Sequence, residues 1–205
     1  MHSGFAHGAA GIASALGRLG AITGVEAFLR AAKEAHLYER TLYSPSRGNW
    51  PHQREDGGTV WLMAWCHGAP GIALGRLLEG TAHKAEERMA DMAVAVGTTL
   101  RSRPSQHDHL CCGSMGQTDV LLSVGRGTGD EDLQEKAHER ALAVARRILS
   151  EGWRGVRSTG FEQRLFEPGF FRGLSGVGYQ LLRMAHQDRL PSVLGFEARI
   201  EGSSA

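Results

Sequence analysis

Apolar residues recur along this chain at helical spacing, in long and short blocks that alternate. Three long blocks carry an apolar stripe opposite a charged face. Residues 24–43 place Val25, Phe28, Leu29, Ala32 and Ala35 on one side. Residues 82–100 do so with Ala85, Met89, Met92, Ala93, Val96 and Leu100, and residues 131–149 with Leu133, Ala137, Ala141, Val144, Ala145 and Ile148. Each short block follows a Gly-x-x-Gly element: Ile12, Leu16 and Leu19; Ile72 and Leu77; Val120, Leu121 and Val124; Val177, Leu181 and Met184. No stretch alternates apolar and polar residues in the two-residue period of a strand. The pattern predicts an all-α protein in which short glycine-rich helices alternate with longer, polar-faced ones.

The glycine elements repeat. Their first glycines stand at 8, 68, 113 and 173, separated by 60, 45 and 60 residues. Glycine is the compositional outlier, 28 residues in 205, about twice the usual ~7%. These glycines either terminate helices or, since they precede the apolar pattern rather than follow it, serve close packing. Glycine and alanine at the start of a short helix let backbones approach closely, as a crowded inner layer requires. The longer helices would form the outer layer, and stacked helix pairs make a solenoid or a closed ring. Two loops, Ser44 to Gly58 with Trp50-Pro51 and Gly152 to Gly169 with Trp153, Phe161 and Phe166, exceed a simple connector. They read either as functional loops or as loops anchored by an aromatic.

Charge and composition exclude several classes. Basic and acidic residues nearly balance, 23 against 22, and no Lys/Arg run points to nucleic acid or an anionic membrane. No apolar run approaches the ~20 residues of a spanning helix, and no signal-peptide pattern opens the chain. The expectation is a soluble, cytoplasmic protein of one domain over residues 1–205. Three cysteines, two of them adjacent, do not suggest a disulfide framework.

All three cysteines fall at the start of a glycine element: Cys66 in Cys66-His67-Gly68, and Cys111 and Cys112 just before Gly113. Three soft ligands converging on one centre suit zinc, with a fourth position open for a substrate. A site of three thiolates suits holding an incoming thiol as a nucleophilic thiolate. The alternative is that the cysteines are small buried apolar side chains. His7 holds the place that cysteine takes in another element, so it is a candidate acid or base; His67 is a second candidate, or a partner to the ligands. His107 and His109 stand outside the proposed ligands. His2, His36, His52, His83, His138 and His186 share no spacing and read as surface residues. A glycosidase-like barrel would require paired carboxylates at the element starts, and none is there.

Gly-Phe-Ala-His-Gly (4–8), Trp-Cys-His-Gly-Ala-Pro-Gly-Ile (65–72), Cys-Cys-Gly-Ser-Met-Gly (111–116) and Gly-Leu-Ser-Gly-Val-Gly-Tyr (173–179) resemble the lanthionine synthetase C-like family. They are closest to the C-terminal cyclase domain of the bifunctional class II lanthipeptide synthetases. Asn49-Trp50-Pro51 and Leu190-Pro191-Ser192-Val193-Leu194 are similar to that subgroup too. The resemblance implies an α/α toroid of seven inner and seven outer helices, here about four of the seven repeats. It implies a Zn2+ ion that activates a peptide cysteine for addition to dehydroalanine or dehydrobutyrine in a dehydrated precursor peptide. Cys66 and Cys111 match the family's zinc cysteines. Cys112 stands where most members have histidine, so the site resembles the three-cysteine variant. His7 matches the histidine that handles protons during ring closure. Leu62 stands where some members carry arginine. The N-terminal part of the toroid and the dehydratase domain are expected to be missing, leaving an apolar face exposed at the N-terminal edge. Some relatives of this family are associated with glutathione, so a thiol or peptide binder without turnover is the alternative function.

Overall fold

The computed structural model describes residues 2–80, 84–157 and 166–197, in two compact units, Met1–Arg103 and Pro104–Ala205. The predicted helices are present. The first unit contains α1 (Ala9–Thr23), α2 (Glu26–Thr41), α3 (Ala69–Leu78) and α4 (Ala85–Arg101). The second contains α5 (Ser114–Thr128), α6 (Glu131–Glu151) and α7 (Leu174–Ala185), with one 3₁₀ turn at Gly152–Gly155. The calls on His83 and Phe161 lie outside the described residues. None of the described helices is long and apolar enough to cross a membrane.

Short and long helices pair as the pattern requires, with α1 on α2, α3 on α4 and α5 on α6. In the first unit α1 also packs on α3, and small residues set that approach. Ser14 Oγ donates to Gly75 O at 2.9 Å, and a Cβ on Gly75 would come within 3.0 Å of Ala10 Cβ. The buried face of α1 is therefore Ala9, Ala10, Ala13, Ser14, Gly17 and Gly20. Ile12 and Leu19, expected to face the core, are exposed, as is Ile22 at 83%. Close helix contact selects small residues for the inner face and leaves the large apolar ones outside.

His36 corrects a second expectation. It does not lie on the surface but is fully buried, with Nδ1 2.9 Å from Glu79 and Nε2 3.4 Å from Asp91. Arg76, also fully buried, joins the group through Glu39 at 2.9 Å and Asp91 at 3.3 Å. The inner face of α2 thus carries charge, which an apolar-stripe reading assigns to solvent. Burial opposes the imidazolium, but hydrogen bonds to Asp91 and Glu79 outweigh it and raise the His36 pKa.

The long loop of the first unit is built, not merely connecting. Trp50 is buried against Tyr43, with ring centroids 4.7 Å apart. Beyond it lies a short hairpin absent from the helical pattern, β1 (His52–Gln53) antiparallel to β2 (Thr59–Val60). Two residues per strand are too few for sequence alternation to register.

In the second unit, Asp130 caps α6 by accepting from Leu133 N–H at 2.9 Å. On α5, Asp119 meets Arg183 of α7 at 2.8 Å and accepts from Ser192 Oγ at 2.6 Å, all three buried. Ser192 belongs to the Leu190–Leu194 segment, which Tyr179 also holds by donating to Pro191 O at 2.9 Å. His138 bridges α6 and α7, half-buried between the carbonyls of Gln134 and Met184.

Candidate functional site

The repeated glycine elements share one construction. The second glycine of each lies against the carbonyl oxygen of the residue six positions earlier. A Cβ would approach Phe5 O to 1.9 Å at Gly11, Trp65 O to 2.2 Å at Gly71, Leu110 O to 1.9 Å at Gly116 and Phe170 O to 1.8 Å at Gly176. Any side chain there would push the preceding loop off the helix start. Three of these four loops carry the candidate residues, His7, Cys66 with His67, and Cys111 with Cys112, so the repeat is a device for presenting short loops at helix N-termini.

In the first unit two such loops lie against each other. Gly4 adopts φ +102°, and a Cβ on it would sit 2.4 Å from Cys66 O and 2.7 Å from His67 Cα. The loop bearing His7 therefore rests on the Cys66–His67 peptide. Cys66 and His67 are buried, and the His7 ring is stacked on His67 with centroids 5.0 Å apart. His67 Nδ1 lies 3.4 Å from Ser3 O. A carbonyl only accepts, so Nδ1 carries the hydrogen and Nε2 presents its lone pair. Burial, then the neighbouring His52, lower the His67 pKa to about 4. His67 is thus a neutral acceptor rather than an acid at neutral pH.

Asn49 fixes this region from the side. Its Oδ1 accepts from Trp50 N–H and from Ala69 N–H, both at 2.9 Å, and its Nδ2 donates to Leu62 O at 3.1 Å. Ala69 opens α3, where backbone N–H groups lack intrahelical acceptors. One carboxamide thereby caps α3 and ties the long loop to both sides of the Cys66 loop.

In the second unit Cys111 and Cys112 occupy the turn before α5. The Cys112 thiol donates to the Cys111 sulfur at 3.3 Å, and all three cysteines of the chain are thiols. The turn is closed by Gly113 N–H donating to His109 O at 3.0 Å. Cys111 N–H donates to Phe171 O at 2.9 Å, joining the third and fourth glycine elements. Cys112 N–H donates to His109 Nδ1 at 3.2 Å. That bond requires an unprotonated Nδ1, and burial, the largest influence on this ring, lowers the His109 pKa to about 4. Just upstream, buried Asp108 accepts from Arg147 at 2.6 Å and from the Arg157 backbone N–H at 2.8 Å, anchoring the strand of chain that leads into the turn.

Two thiolates on a tetrahedral ion with bonds of ~2.3 Å stand about 3.8 Å apart. The Cys111–Cys112 sulfurs are within about half an ångström of that separation. The donor set of thiols suits Zn2+, and the turn already holds two of them on one side.

The sequence reading missed His52 and His109. His52, read as surface, lies half-buried with its ring centroid 3.9 Å from that of His67. His2, His7, His52 and His67 line one open cleft of about 750 Å3, whose remaining wall is the hairpin turn at residues 53–56. The element Trp50-Pro51-His52, with Pro51 buried, was the available signal. His109 sets the Cys112 backbone, a role that spacing alone does not reveal.

Comparison with known proteins agrees with this construction. Residues 1–195 match the family described as lanthionine synthetase C-like protein. The lacticin 481/lactococcin biosynthesis protein LcnDR2 of Lactococcus lactis subsp. lactis is 24% identical over 195 residues, covering 89% of this chain and 20% of that protein. The chain spans about a fifth of the length of that curated relative.

Proposed function

The chain belongs to the lanthionine synthetase C-like family, and we propose that it is the C-terminal part of a peptide cyclase domain that closes lanthionine or methyllanthionine rings. Its substrate is a dehydrated precursor peptide, leader plus core, carrying a cysteine and a dehydroalanine or dehydrobutyrine. The observation that carries this reading is the Cys111–Cys112 thiol pair, 3.3 Å apart at the head of α5 in a glycine element of this family.

Cys66, Cys111 and Cys112 are the proposed ligands for Zn2+. When bound, the ion would supply a position at which the peptide cysteine is held as thiolate. His109 keeps the Cys112 backbone oriented, and Asn49 does the same for the loop of Cys66. His7, exposed in the cleft, gives a proton to the enolate formed when the thiolate adds to the double bond. His67, whose Nε2 presents a lone pair, accepts a proton or a hydrogen bond.

Cys111→Ala tests the assignment. The variant is expected to lose both zinc and the conversion of a dehydrated, cysteine-containing peptide to its cyclic form, followed by loss of reactive thiol. Retention of either would refute it. Zinc-dependent capture of a thiol peptide without conversion would instead identify a binder.

A further inference from the structure

Glu39, on α2, is fully buried and has no part in the chemistry described above. Its two oxygens face different elements. Oε1 accepts from Gly4 N–H at 3.3 Å, and Oε2 meets the Arg76 guanidinium of α3 at 2.9 Å. Arg76 is itself braced, with Asp91 of α4 3.3 Å from Nε and Glu79 3.8 Å from Nη1. The carboxylate thus reaches from a buried ion pair to the backbone of the loop that carries His7.

That loop needs an anchor at Gly4. Residues 3–7 form neither helix nor strand, so the Gly4 amide has no partner from regular secondary structure. Ser3, Gly4, Phe5 and Gly8 are buried while Ala6 and His7 are exposed, so the buried part of the loop sets where His7 stands. Ala9 N–H donates to His2 O at 2.8 Å and closes the loop at its base. Ser3 Oγ donates to Pro51 O at 2.5 Å, and the Phe5 ring lies 6.0 Å from that of Trp65. Glu39 holds the residue between these two, the one whose Cα packs on the Cys66–His67 peptide.

A buried ion pair is seldom more stabilising than apolar side chains filling the same space, so stability gives little reason for a carboxylate at this position. Loop placement does, because an apolar side chain at residue 39 would leave Gly4 N–H without this acceptor. An acceptor oxygen is all that the amide requires. Burial raises the Glu39 pKa to about 7, and the protonated group still offers its carbonyl oxygen. The anchor therefore holds in either form.

We propose that Glu39, braced by Arg76, is a positioning residue for His7, fixing the loop at Gly4 so that the His7 ring stands stacked on His67 in the cleft. His7 gives its proton to Cα of the enolate only when the ring lies within reach of that atom. A misplacement of about 1 Å lowers the rate of such a step about 100-fold. Glu39 acts through His7 and does not itself exchange a proton with the peptide. This inference rests on the cyclase reading above.

The test compares the zinc-loaded wild-type chain with Glu39→Ala and with Glu39→Leu/Arg76→Met, using a peptide with one cysteine and one dehydroalanine. The double variant removes both charges, so its folding does not depend on a guanidinium that has lost a partner. In both, kcat for ring closure is expected to fall about 100-fold, with KM and zinc content unchanged. In a His7→Ala background the same substitutions should lower kcat no further, because residues that act as one unit are not additive. His36→Asn alters the same charge group at Glu79 and Asp91, and should leave kcat unchanged. The NMR signals of the His7 ring, shifted by the stacked His67 ring, should move in both Glu39 variants and not in His36→Asn.

Wild-type kcat in the Glu39 variants, an equal fall in the His7→Ala background, or unmoved His7 signals would overturn the positioning role and leave the cyclase reading standing. So would loss of folded protein in both variants, which would make Glu39 a residue of the fold alone. A wild-type chain that closes no ring overturns the cyclase reading, and this inference falls with it.

Discussion

Replacing Asn49 with alanine removes a side chain that holds the Cys66 loop from two directions. Asn49 is 3% exposed and makes three hydrogen bonds. The substitution leaves the N–H groups of Trp50 and Ala69 and the carbonyl of Leu62 without this partner. Each buried polar group left unsatisfied costs roughly 1–3 kcal/mol, so the sum lies between ~3 and ~9 kcal/mol. Entry of one water into the vacated space would satisfy part of this set, which favours the low end, about 3–4 kcal/mol. Against a typical domain stability of ~5–15 kcal/mol that is a large fraction. Asn49→Asp separates the contributions. It keeps the acceptor for both N–H groups and places negative charge at the start of α3, which contributes ~0.3–1 kcal/mol. It also sets a carboxylate oxygen against Leu62 O. The net loss should therefore be smaller, about 1–2 kcal/mol. Urea unfolding followed by tryptophan fluorescence and by circular dichroism measures both, with Trp50 reporting from the adjacent position. A loss under ~1 kcal/mol in Asn49→Ala, or equal losses in the two variants, would refute the capping role.

Three further outcomes follow from the packing. Gly116→Ala places a Cβ 1.9 Å from Leu110 O, whereas Gly24→Ala, at φ +71°, meets no atom within 4 Å; the second should cost about 1 kcal/mol from backbone strain alone, and the first enough to abolish folded protein in a thermal melt. Asp119→Asn leaves buried Arg183 without the negative charge 2.8 Å away and should cost about 3–5 kcal/mol by denaturant titration; a near-neutral result would contradict a stabilising role for this buried pair. The raised His36 pKa means that the protonated ring stabilises the fold fully below the unfolded value of 6.5 and that this contribution is lost as pH rises through the folded value. Melting temperature should therefore fall as pH rises above 6.5 more steeply in wild type than in His36→Asn, and equal slopes would contradict the assignment.

Helix positions were legible because the long blocks follow the helical period and the glycine elements precede the short ones. The role of the glycines was only partly legible. Close helix approach was expected and occurs at Gly75, but the contact of Gly11, Gly71, Gly116 and Gly176 with a carbonyl six residues back involves backbone, which leaves no side-chain signature. Ile12 and Leu19 misled because an inner face can be made of alanine and glycine. His36 misled because its face is buried through ion pairing, which periodicity counts as polar. Cys66, Cys111, Cys112 and His7 stood out in the sequence because they repeat at equivalent places. His52 lies on a hairpin too short to announce itself and outside any repeat, so only three-dimensional proximity to His67 reveals it.

The central claim is that the three cysteines hold one zinc ion. The most direct test is metal content of the purified chain, with thiol titration of the same sample before and after a chelator. The account predicts about one zinc per chain, with all three thiols protected until the chelator is added, as tetrahedral thiolate ligation requires. A chain without zinc and with three thiols that react at once would contradict it.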